Sequence, residues 1–190
     1  MGIFNFKETK IEGLYIIEGK PFKDDRGYFM ETYNEQDFFK AGLNMKFVQT
    51  NESCSTKGVL RGLHFQKEFP QGKLVRCVEG KVFDVAVDLR QGSKTYGEWE
   101  GVILTPSNFL QFYIPEGFAH GFYVMSNTAK FLYSVTNFYK KDDEGGLLWN
   151  DEDLKISWPI EKGDEVILSE KDKINPKLKE FSLRSKFAEI

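Results

Sequence analysis

Histidine and cysteine are scarce in this chain, which has two residues of each type among 190. The cysteines, Cys54 and Cys77, do not form a CxxC pair, and their separation favours reduced thiols over a disulfide scaffold. Two histidines cannot build a three-histidine metal site, and no Cys/His cluster has zinc spacing. No apolar run is long enough to cross a bilayer, and the N-terminus carries charges where a secretory signal requires an apolar segment. These absences predict a cytoplasmic protein without a metal site.

A strong charge imbalance is also lacking, because the formal net charge is −3 and no basic run occurs. This argues against a nucleic-acid groove, which requires clustered Lys and Arg residues. The sequence has no GxGxxG after a strand, no P-loop and no GxSxG turn, so the common dinucleotide, nucleotide-triphosphate and serine-hydrolase sites are disfavoured. A small anionic substrate remains compatible with this composition, because it requires only a few local cations.

What the chain does contain is phenylalanine, with 18 residues, and short segments rich in Val, Phe, Tyr, Leu and Ile between glycine turns. This pattern predicts one all-β domain over residues 1–190, a β-sandwich or small barrel with a few short helices. The segments KLVRCV and KVFDVAVDL, joined by Glu79 and Gly80, predict a β-hairpin. In YNEQDFFKAG, Asn34 is the expected N-cap of a helix and Gly42 its expected stop.

One of the two histidines, His64, lies in the strand-like segment GVLRGLHFQ. In a regular strand Gly62, His64 and Gln66 share one face. Arg61 then points the other way, unless Gly62 marks a bulge that redirects it. A single histidine in a strand is often a core residue held by a neighbour. Here the nearby Arg61, Gln66 and Lys73 favour a functional site.

Three further polar residues occur in apolar surroundings, and each has two interpretations. Asp84 of FDVAV either pairs with His120 of IPEGFAHGFYV or faces solvent on an edge strand. Tyr133 of KFLYSV either packs in the core or acts as a general acid. Asp172 of SEKD either caps a helical turn or orients a histidine.

Several motifs in sequence order resemble the RmlC family, the dTDP-4-dehydrorhamnose 3,5-epimerases of the cupin superfamily. The resemblance runs from about Thr9 to Leu178, through VLRGLHFQ, QGKLVRCVEGKVFDVAVDLR, IPEGFAHGF, KFLY, WND and LSEKD. It implies a cupin-type jelly-roll β-sandwich that forms a homodimer and works without metal or cofactor. The number of histidines agrees with this, since metal-binding cupins use an HxH pair and this chain has Gly62 where another histidine would stand.

The resemblance also assigns roles to individual residues. His64 would be the general base with Asp172 as its partner, Tyr133 the general acid, and Lys73 the cation beside the C4 oxygen. Tyr139 would stack on the thymine ring. The remaining positions that match substrate-binding residues of the family are Arg26, Glu31, Gln49, Thr50, Asn51, Arg61, His120, Glu144 and Lys171.

The chemistry of the implied reaction requires these residue types. The substrate, dTDP-4-keto-6-deoxyglucose, has acidic hydrogens on C3 and C5 because both carbons adjoin a ketone. Inversion of either carbon then needs a base on one face of the sugar, an acid on the other face and a positive charge at the oxygen of the enolate. By the resemblance, this reaction is a step of dTDP-rhamnose biosynthesis. Two alternatives stay open, a mono-epimerase that inverts C3 alone and a non-catalytic cupin that binds a sugar nucleotide.

Overall fold

The computed structural model describes residues 3–184, and antiparallel strands make up most of their regular structure. Two short α-helices and a 3₁₀ turn over residues 141–143 accompany the strands. The elements in chain order are β1 (Phe4–Glu8), β2 (Tyr15–Gly19), β3 (Phe22–Asp24), β4 (Gly27–Phe29), α1 (Glu35–Lys40), β5 (Gln49–Thr56), β6 (Leu60–Gln66), β7 (Lys73–Glu79), β8 (Val82–Asp88), β9 (Trp99–Leu104), β10 (Leu110–Ile114), β11 (Phe118–Val124), β12 (Thr128–Val135), β13 (Glu144–Gly146) and α2 (Leu178–Arg184).

The strands of the described residues form a six-stranded sheet, in the order β1-β2-β10-β7-β12-β5, and a five-stranded sheet, in the order β13-β6-β11-β8-β9. Strands β3 and β4 pair separately as a small hairpin. Val75, Phe112 and Phe131 of the larger sheet join Leu104 and Phe122 of the smaller sheet in one buried cluster. Burying each of these side chains contributes roughly 1.5–3 kcal/mol. The β-sandwich prediction is confirmed.

The predicted hairpin between KLVRCV and KVFDVAVDL is wrong, although both segments are strands. Strand β7 lies between β10 and β12, whereas β8 lies between β11 and β9 in the other sheet. Gly80, with a φ of +82°, lies in the turn that takes the chain from one sheet to the other. Both strands are buried along most of their length, so each needs a hydrogen-bonded neighbour on both sides. Each strand finds these neighbours in its own sheet, and the short connection at Gly80 passes from one sheet to the other.

The predicted helix is confirmed as α1. The side chain of Asn34 accepts hydrogen bonds from the backbone N–H groups of Gln36 and Asp37, which are donors without partners inside the helix. Phe38 is fully buried against the aromatic residues of β1. Gly42, with a φ of +84°, ends the helix because a left-handed backbone is readily available to glycine.

Strand β6 contains the bulge expected at Gly62. His64 lies opposite His120 of β11, but Arg61 lies opposite Phe122, so β6 has one extra residue between the two pairs. Gly62 has a φ of +124°, and a Cβ at this position would lie 2.8 Å from the carbonyl oxygen of His120. The bulge turns the side chains of Arg61 and His64 toward the same cavity.

Candidate active site

A cavity of about 540 Å³ lies between the two sheets, and we call it the interior cavity. The five-stranded sheet contributes His64 from β6 and His120 from β11 to its wall. The six-stranded sheet contributes Lys73 from β7 and Tyr133 from β12. The other predicted site residues that line this cavity are Arg61, Tyr139, Glu144, Lys171 and Asp172. Groups far apart in the sequence therefore face one another across the sandwich.

His64 and Asp172 form a close pair, with 2.6 Å between Nε2 of the ring and Oδ1 of the carboxylate. Burial raises the pKa of Asp172, but the hydrogen bonds and the charge of His64 and the hydroxyl of Ser169 outweigh it and hold this pKa below its usual value. Asp172 is therefore an ionised carboxylate at neutral pH. Because this carboxylate contacts Nε2 of His64, the other ring nitrogen, Nδ1, has no hydrogen-bond partner among the described residues.

Asp172 makes the contact expected from each of its two interpretations. Its backbone N–H donates to the hydroxyl of Ser169 at 3.2 Å, which is the capping interaction of the SEKD turn. The turn also brings its carboxylate, which is 2% exposed, under β6 and against His64. The local turn thus positions the partner of a residue 108 positions away in the sequence.

Lys73 presents a buried ammonium group to the interior cavity. Its side chain is 8% exposed, and within residues 3–184 its Nζ has no hydrogen bond and no ion pair. Burial lowers the pKa of Lys73 to about 8, although the charges of Asp84 and Glu144 act in the opposite direction. An ammonium group in such a place is costly unless it serves an anionic ligand or intermediate.

Asp84 and His120 form a second pair at the wall of the cavity. His120 Nε2 lies 2.9 and 3.1 Å from the two carboxylate oxygens, and Asp84 is fully buried on β8, an internal strand of its sheet. Burial raises the pKa of Asp84 and lowers that of His120, and each shift is opposed by the partner. The interpretation of Asp84 as an acid that faces solvent is therefore wrong, because β8 has neighbours on both sides.

Tyr133 is half-buried, and its ring packs 6.2 Å from that of Phe131 in the core. Burial raises its pKa, an effect that nearby Arg61 reduces and Glu144 adds to. The phenol therefore keeps its proton at neutral pH and is able to donate it. The residue packs in the core and also lines the cavity.

Charged side chains surround the mouth of the interior cavity. Glu144 accepts a hydrogen bond from the hydroxyl of Tyr139 at 3.0 Å and pairs with Lys171 at 2.6 Å. Burial raises the pKa of Glu144, but these two partners lower it to a value below the usual one. Arg61 donates from Nε to the hydroxyl of Ser55 at 3.1 Å, and it has no ion pair among the described side chains. At this mouth Lys171 is thus paired with a carboxylate, whereas the guanidinium of Arg61 has no carboxylate partner among the described side chains.

Two of the predicted substrate-binding residues lie outside the cavity formed by one chain. Arg26 is exposed in the β3–β4 turn, where it pairs with Asp24 at 2.6 Å. Glu31 accepts a hydrogen bond from Asn34 at the start of α1. Neither residue lines the interior cavity.

The three predicted residues of strand β5 also lie outside the cavity lining. Gln49 donates to Asn51 at 2.8 Å, and the hydroxyl of Thr50 lies 2.9 Å from that of Ser134. Gln49 also accepts a hydrogen bond from the backbone N–H of Tyr139 at 3.2 Å. This contact links β5 to the segment that carries Tyr139 to the cavity mouth.

Some residues of the cavity were missed by the sequence analysis. Ser53 and Gln71 line it, and the hydroxyl of Ser53 is buried without a hydrogen-bond partner. Asn51, Ser53 and Ser55 alternate along β5 on its less exposed face. Small polar residues repeated with period two on the buried face of a strand are a signal that could have located them.

Within residues 3–184, no group of three or more His, Cys, Asp or Glu side chains is arranged to hold a metal ion. The same part of the chain has no helix long and apolar enough to span a membrane. The groups that the interior cavity does offer are a histidine–carboxylate pair, a protonated tyrosine and a buried ammonium group. These are the parts needed to move protons next to a developing negative charge.

The fold and the interior cavity together define a β-sandwich protein with a candidate acid–base site. A family model described as dTDP-4-dehydrorhamnose 3,5-epimerase matches residues 8–180. The chain belongs to the dTDP-4-dehydrorhamnose 3,5-epimerase family.

Known relatives resemble this chain over nearly its whole length. The dTDP-4-dehydrorhamnose 3,5-epimerase of Methanothermobacter thermautotrophicus is 53% identical over 173 residues, which cover 91% of this chain and 94% of the relative. The crystal structure of the enzyme of that name from Elizabethkingia anophelis has a TM-score of 0.90 at 52% identity and covers 94% of this chain and 98% of its own. The RmlC of Legionella pneumophila, solved in complex with dTDP-4-keto-L-rhamnose, has a TM-score of 0.89 at 47% identity, with 93% of each chain covered. These structures confirm the cupin-type sandwich.

Proposed function

We propose that this protein converts dTDP-4-keto-6-deoxy-D-glucose to dTDP-4-dehydro-L-rhamnose by inverting C3 and C5, a step of dTDP-rhamnose biosynthesis. The observation that carries the proposal is the placement of His64 and Tyr133 on opposite sheets around one cavity. A base and an acid on opposite sides of a sugar ring allow a proton to leave one face and return to the other. The Legionella relative solved with dTDP-4-keto-L-rhamnose supports the same substrate class.

Proton abstraction is assigned to His64. Asp172 holds Nε2 of the ring, so Nδ1 takes the hydrogen of C3 or C5, and the carboxylate stabilises the imidazolium that results. The electron pair of the broken C–H bond forms a double bond to C4 of the sugar. The π electrons of the C4 carbonyl move to its oxygen, which then carries the negative charge of an enolate. Lys73 faces this charge, and an ammonium about 4 Å from it at an effective dielectric of 20 stabilises it by about 4 kcal/mol.

Reprotonation is assigned to Tyr133, whose hydroxyl keeps its proton because burial raises its pKa. Delivery of this proton to C5 on the face opposite His64 inverts that carbon, and water is proposed as the donor at C3. Exchange with solvent then returns a proton to Tyr133 and removes one from His64. His120, which is hydrogen-bonded to Asp84, lies on the same sheet as His64 and is proposed to contact the sugar. No step requires a metal or an organic cofactor.

The nucleotide is assigned to the mouth of the interior cavity. Arg61 and Lys171 supply positive charge for the diphosphate, since guanidinium and ammonium groups are common phosphate partners. The ring of Tyr139 is 52% exposed there and provides a surface on which the thymine stacks. Glu144 holds both Tyr139 and Lys171 in place. Gln49, Thr50 and Asn51 remain proposed substrate contacts at the adjacent strand.

We further propose that two copies of the chain associate as a homodimer in the cytoplasm. The β3–β4 hairpin exposes Phe22, Tyr28 and Phe29, with Phe29 69% exposed, and such a cluster is typical of an interface. The same hairpin carries Arg26, and Glu31 follows it, so association would allow both residues to reach the cavity of the partner copy. The two cysteines are unpaired in the structure, which agrees with a reducing compartment.

Incubation with dTDP-4-keto-6-deoxyglucose in heavy water tests the proposed reaction. We expect NMR to show deuterium at both C3 and C5, together with the L-rhamnose configuration in the product. Deuterium at C3 alone would instead identify a mono-epimerase. No deuterium, combined with tight binding of the substrate, would identify a sugar-nucleotide-binding protein without catalytic activity.

A further inference from the structure

The backbone around Tyr139 is held by two glutamine side chains. Gln66 at the end of β6 donates from Nε2 to the carbonyl of Phe138 at 3.2 Å, and its Oε1 accepts from the N–H of Lys140 at 2.7 Å. Gln49 of β5 accepts from the N–H of Tyr139 itself at 3.2 Å. Three consecutive residues of a segment between elements are therefore fixed by side chains from two different sheets.

Gln66 is buried, whereas the ring of Tyr139 is exposed. Gln66 is 4% exposed, and its Nε2 makes a second hydrogen bond to the carbonyl of Phe69 at 2.7 Å. The amide is thus buried with three hydrogen bonds, all of them to loop backbone. The ring of Tyr139, by comparison, is 52% exposed and contacts the cavity mouth through its hydroxyl on Glu144. A rigid backbone therefore supports an exposed aromatic ring.

We infer that Gln66 is a positioning residue for nucleotide binding, which acts by fixing the backbone of Tyr139. The inference rests on the proposed function, in which Tyr139 stacks on the thymine. A binding group that is already ordered loses less conformational freedom when the ligand arrives, and so it binds more tightly. Gln66 makes no hydrogen bond to His64 or Lys73, so its effect falls on binding and not on proton transfer.

Calorimetric titration with dTDP tests this role in the full-length chain. Gln66→Met keeps the length of the side chain but removes all three hydrogen bonds. We expect the Kd for dTDP to rise about tenfold or more. With the 4-keto substrate, KM should rise by a similar factor and kcat at saturation should fall far less.

Ser126→Ala is the matched control for the loss of side-chain hydrogen bonds. Ser126 also makes three such bonds, to Lys81 and Thr128, in a turn that does not line the cavity. Its removal should leave the Kd for dTDP unchanged.

A double-mutant cycle with Tyr139→Leu separates positioning from a direct or general structural role. If Gln66 acts through Tyr139, Gln66→Met should change the Kd less than about twofold in the Tyr139→Leu background. Equal losses in both backgrounds would overturn the inference. Should Gln66→Met not fold, Gln66→Asn shortens the side chain and withdraws the amide from the same three backbone groups. Its loss of dTDP affinity must likewise disappear in the Tyr139→Leu background. If the parent chain bound no dTDP, the proposed function would fail together with the inference, whereas binding with additive losses would refute the role of Gln66 alone.

Discussion

Replacement of Lys73 by methionine should make the protein more stable and nearly inactive. Burial lowers the pKa of Lys73 from 10.5 to about 8. At 1.36 kcal/mol per pKa unit, this difference means that holding the buried ammonium charged costs roughly 3 kcal/mol at pH 7. Methionine has a similar length and no charge, so Lys73→Met should raise the free energy of unfolding by about 3 kcal/mol at pH 7.

The pH dependence of this gain follows from the direction of the pKa shift. Below pH 8 both the folded and the unfolded parent carry the charged lysine, and the full cost is present. Between about pH 8 and 10.5 the folded state releases its proton while the unfolded state keeps it, so the parent becomes more stable as the pH rises. The advantage of Lys73→Met should therefore shrink over this interval.

Urea unfolding at pH 7 and pH 10, followed by the fluorescence of the three tryptophans, measures both effects. Lys130→Met is the control, because Lys130 is an exposed lysine paired with Glu79, and such pairs contribute little to stability. The epimerisation rate of Lys73→Met should fall by roughly 10²–10³-fold, as for loss of one donor to an oxyanion. A variant less stable than the parent at pH 7, or a gain independent of pH, would refute the proposed cost of the buried charge.

Three further predictions concern the catalytic groups and catalysis without a metal ion. Asp172→Asn should fold normally but slow deuterium exchange by roughly 10²–10⁴-fold, because His64 loses its orientation and its counter-charge. Full activity of this variant in the NMR assay would leave capping as the only role of Asp172. Tyr133→Phe should accumulate product inverted at C3 only, with water as the donor there, and an unchanged rate of C5 inversion by NMR would show that Tyr133 only packs. Removal of metal ions with a strong chelator should leave turnover unchanged, and loss of activity that added metal restores would contradict catalysis without a metal.

The sequence by itself determined the elements and the chemical groups. Apolar segments of strand length between glycine turns predicted the β-sandwich, and Asn34 and Gly42 marked the ends of α1, because these signals act within a few residues. For Gly62 the sequence left a regular strand and a bulge as alternatives, and the structure shows the bulge, because a Cβ there would meet the backbone of β11. The motifs from VLRGLHFQ to LSEKD, taken in sequence order, carried the resemblance to the epimerase family, and this resemblance implied the reaction class.

The tertiary structure alone decided which segments meet. The sequence predicted β7 and β8 as a hairpin, but β7 pairs with β10 and β12 while β8 pairs with β9 and β11 in the other sheet. It left the partner of Asp84 open, and only the order of strands in the sheet places His120 beside it. Among residues 3–184 Lys73 has no ion-pair partner, and this depends on the tertiary surroundings of its side chain, which no local pattern encodes. Periodicity and turn chemistry are local, whereas strand pairing and burial depend on the whole chain, and for this reason the groups were predictable but their geometry was not.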